Sequence, residues 1–134
     1  MKRVGMLTGG GDCPGLNAVI RGVAKAAMRQ SNSEIIGIQD GFEGLVRKRM
    51  IPLTWEAVSG ILTQGGTILG TTNRADPFAW PEVLPDGSVV KHDYSDEALN
   101  TIEELGISTL VCIGGDGTMT IAHKLAQKGV RIVG

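Results

Sequence analysis

The most informative segment of this 134-residue chain is residues 107–118, which read ISTLVCIGGDGT. Residues 107–113 are dense in isoleucine, leucine and valine, a composition typical of a strand that is buried on both faces of a parallel sheet. The strand ends at Gly114-Gly115-Asp116-Gly117-Thr118, and a helix is predicted from about residue 119 to residue 128. A strand, a glycine-rich turn and a helix in this order predict an α/β fold.

The start of the chain repeats this arrangement. Residues 4–8 form an apolar run that stops at glycines, and residues 16–29 carry apolar side chains at helical spacing. The other predicted elements are strands at 34–38, 50–53 and 130–133 and helices at 55–64 and 95–105, the latter capped by Ser95. This alternation predicts a parallel, doubly wound, three-layer αβα sheet.

Some segments depart from the alternation. Residues 78–93 are predicted to form a small β-hairpin excursion on the surface, because the turn sequence PDGS at 85–88 separates two short valine-containing runs. Residues 41–45 are predicted to be a loop with one helical turn, and residues 67–70 a short extended piece. The last predicted strand has no helix after it. We therefore expect a sheet that is incomplete at the C-terminus, and a chain that is part of a longer protein.

The composition excludes several classes of protein. Thirteen Lys and Arg residues balance fourteen Asp and Glu residues, giving a net charge of -1 without a long basic run. Nucleic-acid and anionic-membrane surfaces depend on clustered positive charge, so neither partner is expected. No signal-peptide core is apparent, which predicts a cytoplasmic protein. Cys13 and Cys112 have no spacing that requires a disulfide, and both are predicted to be reduced thiols.

The glycines indicate where ligands bind. There are 20 among 134 residues, about twice the average usage. They gather in the turn TGGGDCPGLN at residues 8–17 and in the turn after residue 113, where free N–H groups at a helix N-terminus favour an anion such as phosphate. Asp116 is placed to hold Mg²⁺, which prefers one or two carboxylates together with phosphate oxygens. The alternative is purely structural: tight turns in which Asp12 and Asp116 serve as helix N-caps. Neither turn has Walker or G-x-G-x-x-G spacing.

Three basic residues are candidates for contacting phosphate. Arg74 lies in a loop without apolar anchors, where a guanidinium would offset the charge of a transferring phosphoryl group. Arg21 and Lys25 are four residues apart on the first predicted helix and therefore share one face. Each of the three has the alternative interpretation of a solvated surface side chain.

Taken together, the motifs resemble the N-terminal part of the 6-phosphofructokinase family over essentially the whole chain. The resemblance rests on Gly10-Gly11-Asp12-x-Pro14-Gly15-x-Asn17, Arg21-Gly22, Asp40-Gly41-Phe42-x-Gly44-Leu45, Gly65-Gly66-Thr67-x-Leu69-Gly70 and Ile113-Gly114-Gly115-Asp116-Gly117-Thr118. It implies that residues 1–134 are the nucleotide-binding part of an enzyme that transfers a phosphoryl group from ATP, with Mg²⁺, to the 1-hydroxyl of fructose 6-phosphate in glycolysis.

The resemblance also implies roles for individual residues. Gly11 matches the residue whose backbone meets the donor phosphates, and Gly115, Asp116, Gly117 and Thr118 match the nucleotide site, with Asp116 on Mg²⁺. Arg74 resembles the arginine that bridges donor and acceptor phosphates, with an alignment that shifts by one place among relatives. In bacterial relatives Arg21 belongs to an effector site at a subunit interface, and Lys25 stands where an arginine is usual.

The phosphoryl donor and the activity have alternatives. Glycine at position 117 is typical of ATP-using members, whereas many pyrophosphate-using members carry aspartate there; the insert at 77–93 resembles that of longer bacterial forms, some of which use pyrophosphate. An inactive or regulatory nucleotide-binding relative is a second alternative. The Gly114–Thr118 turn alone also resembles NAD kinases and diacylglycerol kinases, but the first glycine turn argues against them. The family implies a homo-oligomer, a dimer or tetramer, whose general base lies after Gly134.

Overall fold

The computed structural model describes residues 2–9, 15–61, 67–71 and 76–134. In chain order these residues form β1 (Arg3–Thr8), α1 (Leu16–Ser31), β2 (Glu34–Ile38), α2 (Phe42–Arg47), β3 (Met50–Pro52), α3 (Trp55–Ser59), β4 (Trp80–Val83), β5 (Val89–His92), α4 (Ser95–Glu104), β6 (Ile107–Ile113), α5 (Asp116–Gln127) and β7 (Ile132–Val133).

The main sheet has five strands in the order β3-β2-β1-β6-β7. Strand β1 lies at its centre and pairs in parallel with β2 and β6, and β7 pairs in parallel with β6. The predicted α/β fold is confirmed, but β3 runs antiparallel to β2, so the sheet is mixed rather than wholly parallel. The connection between these two strands holds only the six-residue α2. A parallel crossover needs about a dozen residues or more, so the chain turns back instead.

Helices cover both faces of the sheet, which makes three layers. Side chains alternate along a strand, so Met6 and Leu7 of β1 point into different cores. Met6 belongs to the core beneath α1 and α3, whose other members include Ile20, Ala24, Ile35, Leu53, Val58 and Leu69. Leu7 belongs to the core beneath α2, α4 and α5, with Ile38, Leu45, Ala98, Ile102, Leu110 and Leu125. Both cores include residues of β6, the strand that ends at the Gly114–Thr118 turn.

The predicted excursion is confirmed as a two-stranded antiparallel ribbon of β4 and β5. Its turn is closed by the Leu84 N–H, which donates to the Ser88 carbonyl at 2.8 Å, and by Gly87 with φ +88°. The base of the excursion is also held: the Tyr94 N–H donates to the Pro77 carbonyl at 2.6 Å, and Phe78 packs against the core beneath α5. Only the outer part of the ribbon stands away from the domain.

Several boundaries differ from the sequence-based expectation. Ser95 is the first residue of helix α4 and not its N-cap. The Ser95 N–H donates a hydrogen bond to Asp93 Oδ1 at 2.9 Å. Helix α3 ends at Ser59 with Gly60 as its C-cap, so the helix predicted to reach residue 64 is already wrong at residues 60–61. Residues 62–64 lie outside the described residues. Residues 67–70 form a turn rather than an extended piece, and β7 is shorter than predicted. The predicted helical turn at 41–45 extends to Arg47.

Two further observations concern the remaining sequence expectations. Cys112 is a buried free thiol, whereas Cys13 lies outside the described residues. Among the helices of the described ranges, none combines the length and apolar character needed to cross a bilayer.

Candidate active site

The two glycine-rich turns start side by side at the carboxyl edge of the sheet. Thr8, the last residue of β1, lies in register with Ile113, the last residue of β6. The Gly9 N–H donates to the Ile113 carbonyl at 2.8 Å, which extends the pairing into the turn. The carboxyl ends of parallel strands are where ligands bind in open α/β sheets. The structure therefore brings the start of the first turn and the whole of the second to one edge.

Thr118 packs between the two turns. A Cβ on Gly114 would lie 2.6 Å from Thr118 Oγ1 and 2.7 Å from the Gly9 carbonyl oxygen, and a Cβ on Gly9 would also meet Thr118. Gly9 and Gly114 are thus glycines because the backbones approach each other closely. This packing fixes the spacing of the two turns.

The close approach of two backbones does not explain why residues 115 and 117 are glycines. Neither has positive φ, and a Cβ on either residue would meet no heavy atom of the described residues within 4 Å. Gly117 lies in the first turn of α5, where glycine costs about 0.5–1 kcal/mol relative to alanine. Packing within the described part of the chain gives no reason for a glycine at either position. Space at a helix N-terminus leaves its first N–H groups accessible to an anion.

Asp116 is an exposed residue at the very start of α5, which begins three residues earlier than predicted. The N-cap is Gly115, and no side chain caps the helix, so the N-cap alternative for Asp116 is wrong. Its carboxylate makes no hydrogen bond or ion pair within the described part of the chain. These residues also contain no cluster of three or more potential metal-ligating side chains. A single free carboxylate beside open space suits Mg²⁺, which takes its other ligands from phosphate and water.

The segment of residues 67–71 lies against the same edge. Thr8 Oγ1 donates to the Gly70 carbonyl at 2.9 Å, and Asn17 Oδ1 accepts the Ile68 N–H at 2.7 Å. Thr8 and Asn17 are 0% and 1% exposed, respectively. Sequence reasoning assigned no role to either side chain. The sequence signals were a threonine at the end of the first strand and an asparagine at the start of the first helix, and neither identifies the partner.

Two predicted phosphate contacts, Gly11 and Arg74, lie outside the described residues, in the ranges 10–14 and 72–75. The structure describes the residues on either side of them. Gly9 and Gly15 flank the first range, and Thr71 and Asp76 flank the second. Their predicted roles stay predictions.

Arg21 and Lys25 lie on α1, which packs on the face of the sheet opposite to α5. Lys25 is nine residues into this helix, about 13 Å along its axis from Leu16. Its Nζ lies 4.2 Å from the centre of the Trp55 ring, and the Arg29 guanidinium lies 4.9 Å from the same ring. Partial desolvation, followed by the charges of Arg21 and Arg29, lowers the pKa of Lys25. Arg21 and Lys25 share one face of α1, as their helical spacing predicted, and Arg29 extends this basic stripe.

Cys112 is not a candidate nucleophile. It is fully buried on β6, and burial raises the pKa of its thiol to about 12. A thiol that remains protonated at neutral pH is a poor nucleophile.

Comparison with known proteins agrees with this arrangement. The sequence profile of the phosphofructokinase family matches residues 3–134. The chain belongs to the phosphofructokinase family. This membership confirms the resemblance that the glycine motifs indicated.

Two curated relatives show how much of the family's length is present. ATP-dependent 6-phosphofructokinase 2 of Clostridium perfringens is 43% identical over 134 residues, covering 100% of this chain and 37% of the relative. ATP-dependent 6-phosphofructokinase 3 of Bacteroides thetaiotaomicron is 47% identical over 131 residues, covering 98% of this chain and 37% of the relative. The chain therefore spans little more than a third of these phosphofructokinases.

Solved structures show the same fold. Phosphofructokinase of Pichia pastoris in the T-state superposes with a TM-score of 0.77 and 32% identity, over 95% of this chain and 13% of that one. A pyrophosphate-dependent phosphofructokinase of Marinobacter aquaeolei gives a TM-score of 0.76 over 98% of this chain and 32% of that one. Its identity is only 16%, so it supports the fold and not the choice of phosphoryl donor.

Proposed function

We propose that residues 1–134 are the nucleotide-binding part of an ATP-dependent 6-phosphofructokinase, which phosphorylates the 1-hydroxyl of fructose 6-phosphate to fructose 1,6-bisphosphate in glycolysis. The observation that carries this proposal is at the second turn, where no described residue fills the space at Gly115 and Gly117 or pairs with the Asp116 carboxylate. Packing explains Gly9 and Gly114 but not these two glycines. A bound polyphosphate explains them.

The residues of the second turn divide the work of binding the donor. Gly115 and Gly117 admit the phosphates to the N-terminus of α5, whose N–H groups and helix dipole favour negative charge. Thr118 holds the second turn against the first through its contacts with Gly9 and Gly114. Asp116 is the residue that would hold Mg²⁺. Bound Mg²⁺ neutralises charge on the transferring phosphoryl group.

The acceptor side depends on residues next to the described segments. Arg74 is proposed to bridge the donor and acceptor phosphates, with its guanidinium offsetting charge in the transition state. Gly11 is proposed to bring backbone N–H groups to the donor phosphates. Catalysis of this kind consists mainly of positioning and charge neutralisation, so the precision of these loops determines the rate.

ATP is favoured over pyrophosphate by Gly117. A side chain at this position would project into the open space. Glycine leaves that space to the nucleotide, whereas a carboxylate would occupy it and repel the phosphates. The names of the two curated relatives, both ATP-dependent, support the same choice. We further propose that the enzyme is a cytoplasmic homo-oligomer, a dimer or tetramer. Its general base is proposed to lie after Gly134. Arg21 and Lys25 are proposed to belong to an effector site.

The decisive experiment measures steady-state phosphorylation of fructose 6-phosphate by the protein at its full natural length, with Mg²⁺ and either ATP or pyrophosphate. Turnover with ATP alone is expected. Turnover with pyrophosphate alone would overturn the donor assignment and leave the family reaction in place. Turnover with neither donor, in a folded protein that binds nucleotide, would favour the regulatory alternative.

A further inference from the structure

A cavity of about 420 Å³ lies between the β4–β5 ribbon and the helices α2 and α4. Trp80 and Glu82 line it from the ribbon, and Arg47 lines it from α2. Tyr94 and Glu97 line it from the N-terminal end of α4. Sites that bind small molecules have volumes of about 300–1,000 Å³, so this cavity has room for a small ligand.

Two aromatic rings form one corner of the cavity. The ring centres of Trp80 and Tyr94 lie 5.9 Å apart at an interplanar angle of 68°, an edge-to-face contact. His92 stacks on Tyr94 with ring centres 5.6 Å apart, and its Nε2 bonds to the Glu82 carboxylate. His92 also lies opposite Trp80 in the ribbon. Each ring is therefore held by a neighbour, and the corner exists before a ligand arrives.

The Trp80 ring already holds a cation. The Arg47 guanidinium lies 5.4 Å from the centre of this ring, within the range of a cation–π interaction. Its side chain is 57% exposed, and it also pairs with Glu43 of the same helix at 3.3 Å. Contacts of this kind are weak when they are exposed to water, so a second cation can displace the guanidinium from the ring.

The charged groups around the cavity are mainly acidic. Glu82 and Glu97 contribute two carboxylates to the lining, whereas Arg47 contributes one positive charge. Glu43 adds a third carboxylate beside Arg47. The Glu97 side chain makes no hydrogen bond or ion pair with any residue that the structure describes. A lining of this charge repels phosphate groups and attracts cations.

The chemistry of the lining favours an organic cation over a metal ion. Across the described ranges, no group of three or more potential metal-ligating side chains occurs. An alkylammonium ion fits better, because its methylene groups can lie against the aromatic rings while its N–H groups donate to carboxylates. Two carboxylates in one cavity favour a ligand with two ammonium groups.

We propose that this cavity binds a short aliphatic diamine or polyamine. One ammonium group replaces the Arg47 guanidinium over Trp80, and the carboxylates of Glu82 and Glu97 neutralise the charge of the ligand. The inference goes beyond the proposed function and does not depend on it, because binding is measured without turnover.

The test is isothermal titration calorimetry on the protein at its full natural length, at constant ionic strength and neutral pH. Three probes of similar length differ only in charge: 1,4-diaminobutane with two charges, n-butylamine with one and 1,4-butanediol with none. We expect the diamine to bind, the monoamine to bind about tenfold more weakly, and the diol to give no binding. Equal affinity for the diol and the diamine would overturn the proposal, as would no binding of the diamine at about 10 mM.

Substitutions in the lining locate the site. Trp80→Leu should weaken diamine binding about tenfold, because it removes the aromatic face. Glu97→Gln should weaken it about fivefold, and this exposed substitution tests the site even if Trp80→Leu fails to fold. Arg47→Ala should strengthen binding about threefold, because the internal competitor for Trp80 is removed. Weaker binding by Arg47→Ala would contradict the displacement of the guanidinium.

Two matched controls use residues outside the cavity. Asp96 precedes Glu97 in the first turn of α4 but does not line the cavity, so Asp96→Asn should keep the wild-type affinity. Trp55 also lies beside cations, Lys25 and Arg29, and Trp55→Leu should likewise have no effect. Equal losses in the control and lining variants would show general attraction of cations to the protein and would overturn the site.

Discussion

The turn of residues 114–118 and the segment of residues 67–71 lie at the same edge of the sheet, yet they use glycine for opposite purposes. Gly70 has positive φ and no room for a side chain, because Asp40 lies against it. Gly117 has ordinary φ and open space around it. The first glycine is required by the fold, whereas packing against the described residues does not explain the second, which we propose is kept for a ligand. Sequence alone does not distinguish the two cases, but the surroundings of each residue do.

The largest expected effect is on activity, at Asp116. Asp116→Asn should lower kcat/KM with ATP by about 10³-fold, because this carboxylate is proposed to hold the Mg²⁺ that would neutralise charge on the phosphoryl group. Its free energy of unfolding should fall by at most about 1 kcal/mol, the usual value of an acidic residue in the first turn of a helix. Steady-state kinetics over a range of Mg²⁺ concentrations and urea unfolding measure the two effects.

Asp96→Asn provides the matched control for that prediction. Asp96 is also an exposed acidic residue in the first turn of a helix, α4, but no glycine turn accompanies it. Its replacement should leave kinetics unchanged. Equal kinetic losses in the two variants would show that the turn of residues 114–118 is not special.

The second effect is on the choice of donor, at Gly117. Gly117→Asp should lower turnover with ATP by about 10²-fold, because a carboxylate in the open space repels and displaces the donor phosphates. Gly117→Ala should fold at least as well as the wild type, since alanine is about 0.5–1 kcal/mol better than glycine in a helix. A Gly117→Asp enzyme with unchanged ATP kinetics would contradict the assignment of this space to the donor.

The third effect is on stability, at Gly70. Gly70→Ala should lower the free energy of unfolding by about 2 kcal/mol, because it combines a strained positive φ with a steric clash. Urea denaturation compares this variant directly with Gly117→Ala. If both substitutions changed stability equally, the distinction between a packed and an open glycine would be wrong.

The smallest effect at neutral pH is expected at Cys112, which lies in the buried strand just before the open turn. Its thiol should resist alkylation by iodoacetamide at pH 8 until the protein unfolds, as followed by mass spectrometry of its peptide. Burial raises its pKa from 9.0 to about 12, so the unfolded state loses this proton first as pH rises. Cys112 therefore leaves stability unchanged below pH 9 and lowers it between pH 9 and about 12. Labelling of the native protein at the rate of a free thiol would contradict this prediction.

Most of the fold was predictable because local patterns and tertiary packing agree. The run of residues 107–113 is a strand with the predicted bounds, and the hairpin follows from its PDGS turn. The antiparallel direction of β3 was not predicted, because it depends on the length of a connection rather than on residue type. The start of α5 was misplaced because Gly115 and Gly117 suggest a loop, although the chain is helical from Asp116.

The candidate site was predictable only in part. The Gly114–Thr118 turn was recognised because three glycines surround a single carboxylate between a strand and a helix, and the structure brings it against Gly9. The roles of Thr8 and Asn17 were not recognised, because their partners lie more than 50 positions away in the sequence. A threonine at the end of a strand is ordinary until its acceptor is known.

The central position of β1 also has a consequence for how the protein is made. β1 begins at Arg3, but one of its two neighbours, β6, begins at Ile107. A ribosome that adds about 5–20 residues per second needs about 5–20 s to make this interval of about 100 residues. During that time β1 can pair with β2, but the other edge of β1, which includes Met6 and Leu7, has no strand to pair with. The order of synthesis therefore means that the two glycine-rich turns come together only after the last strands of the described sheet have left the ribosome.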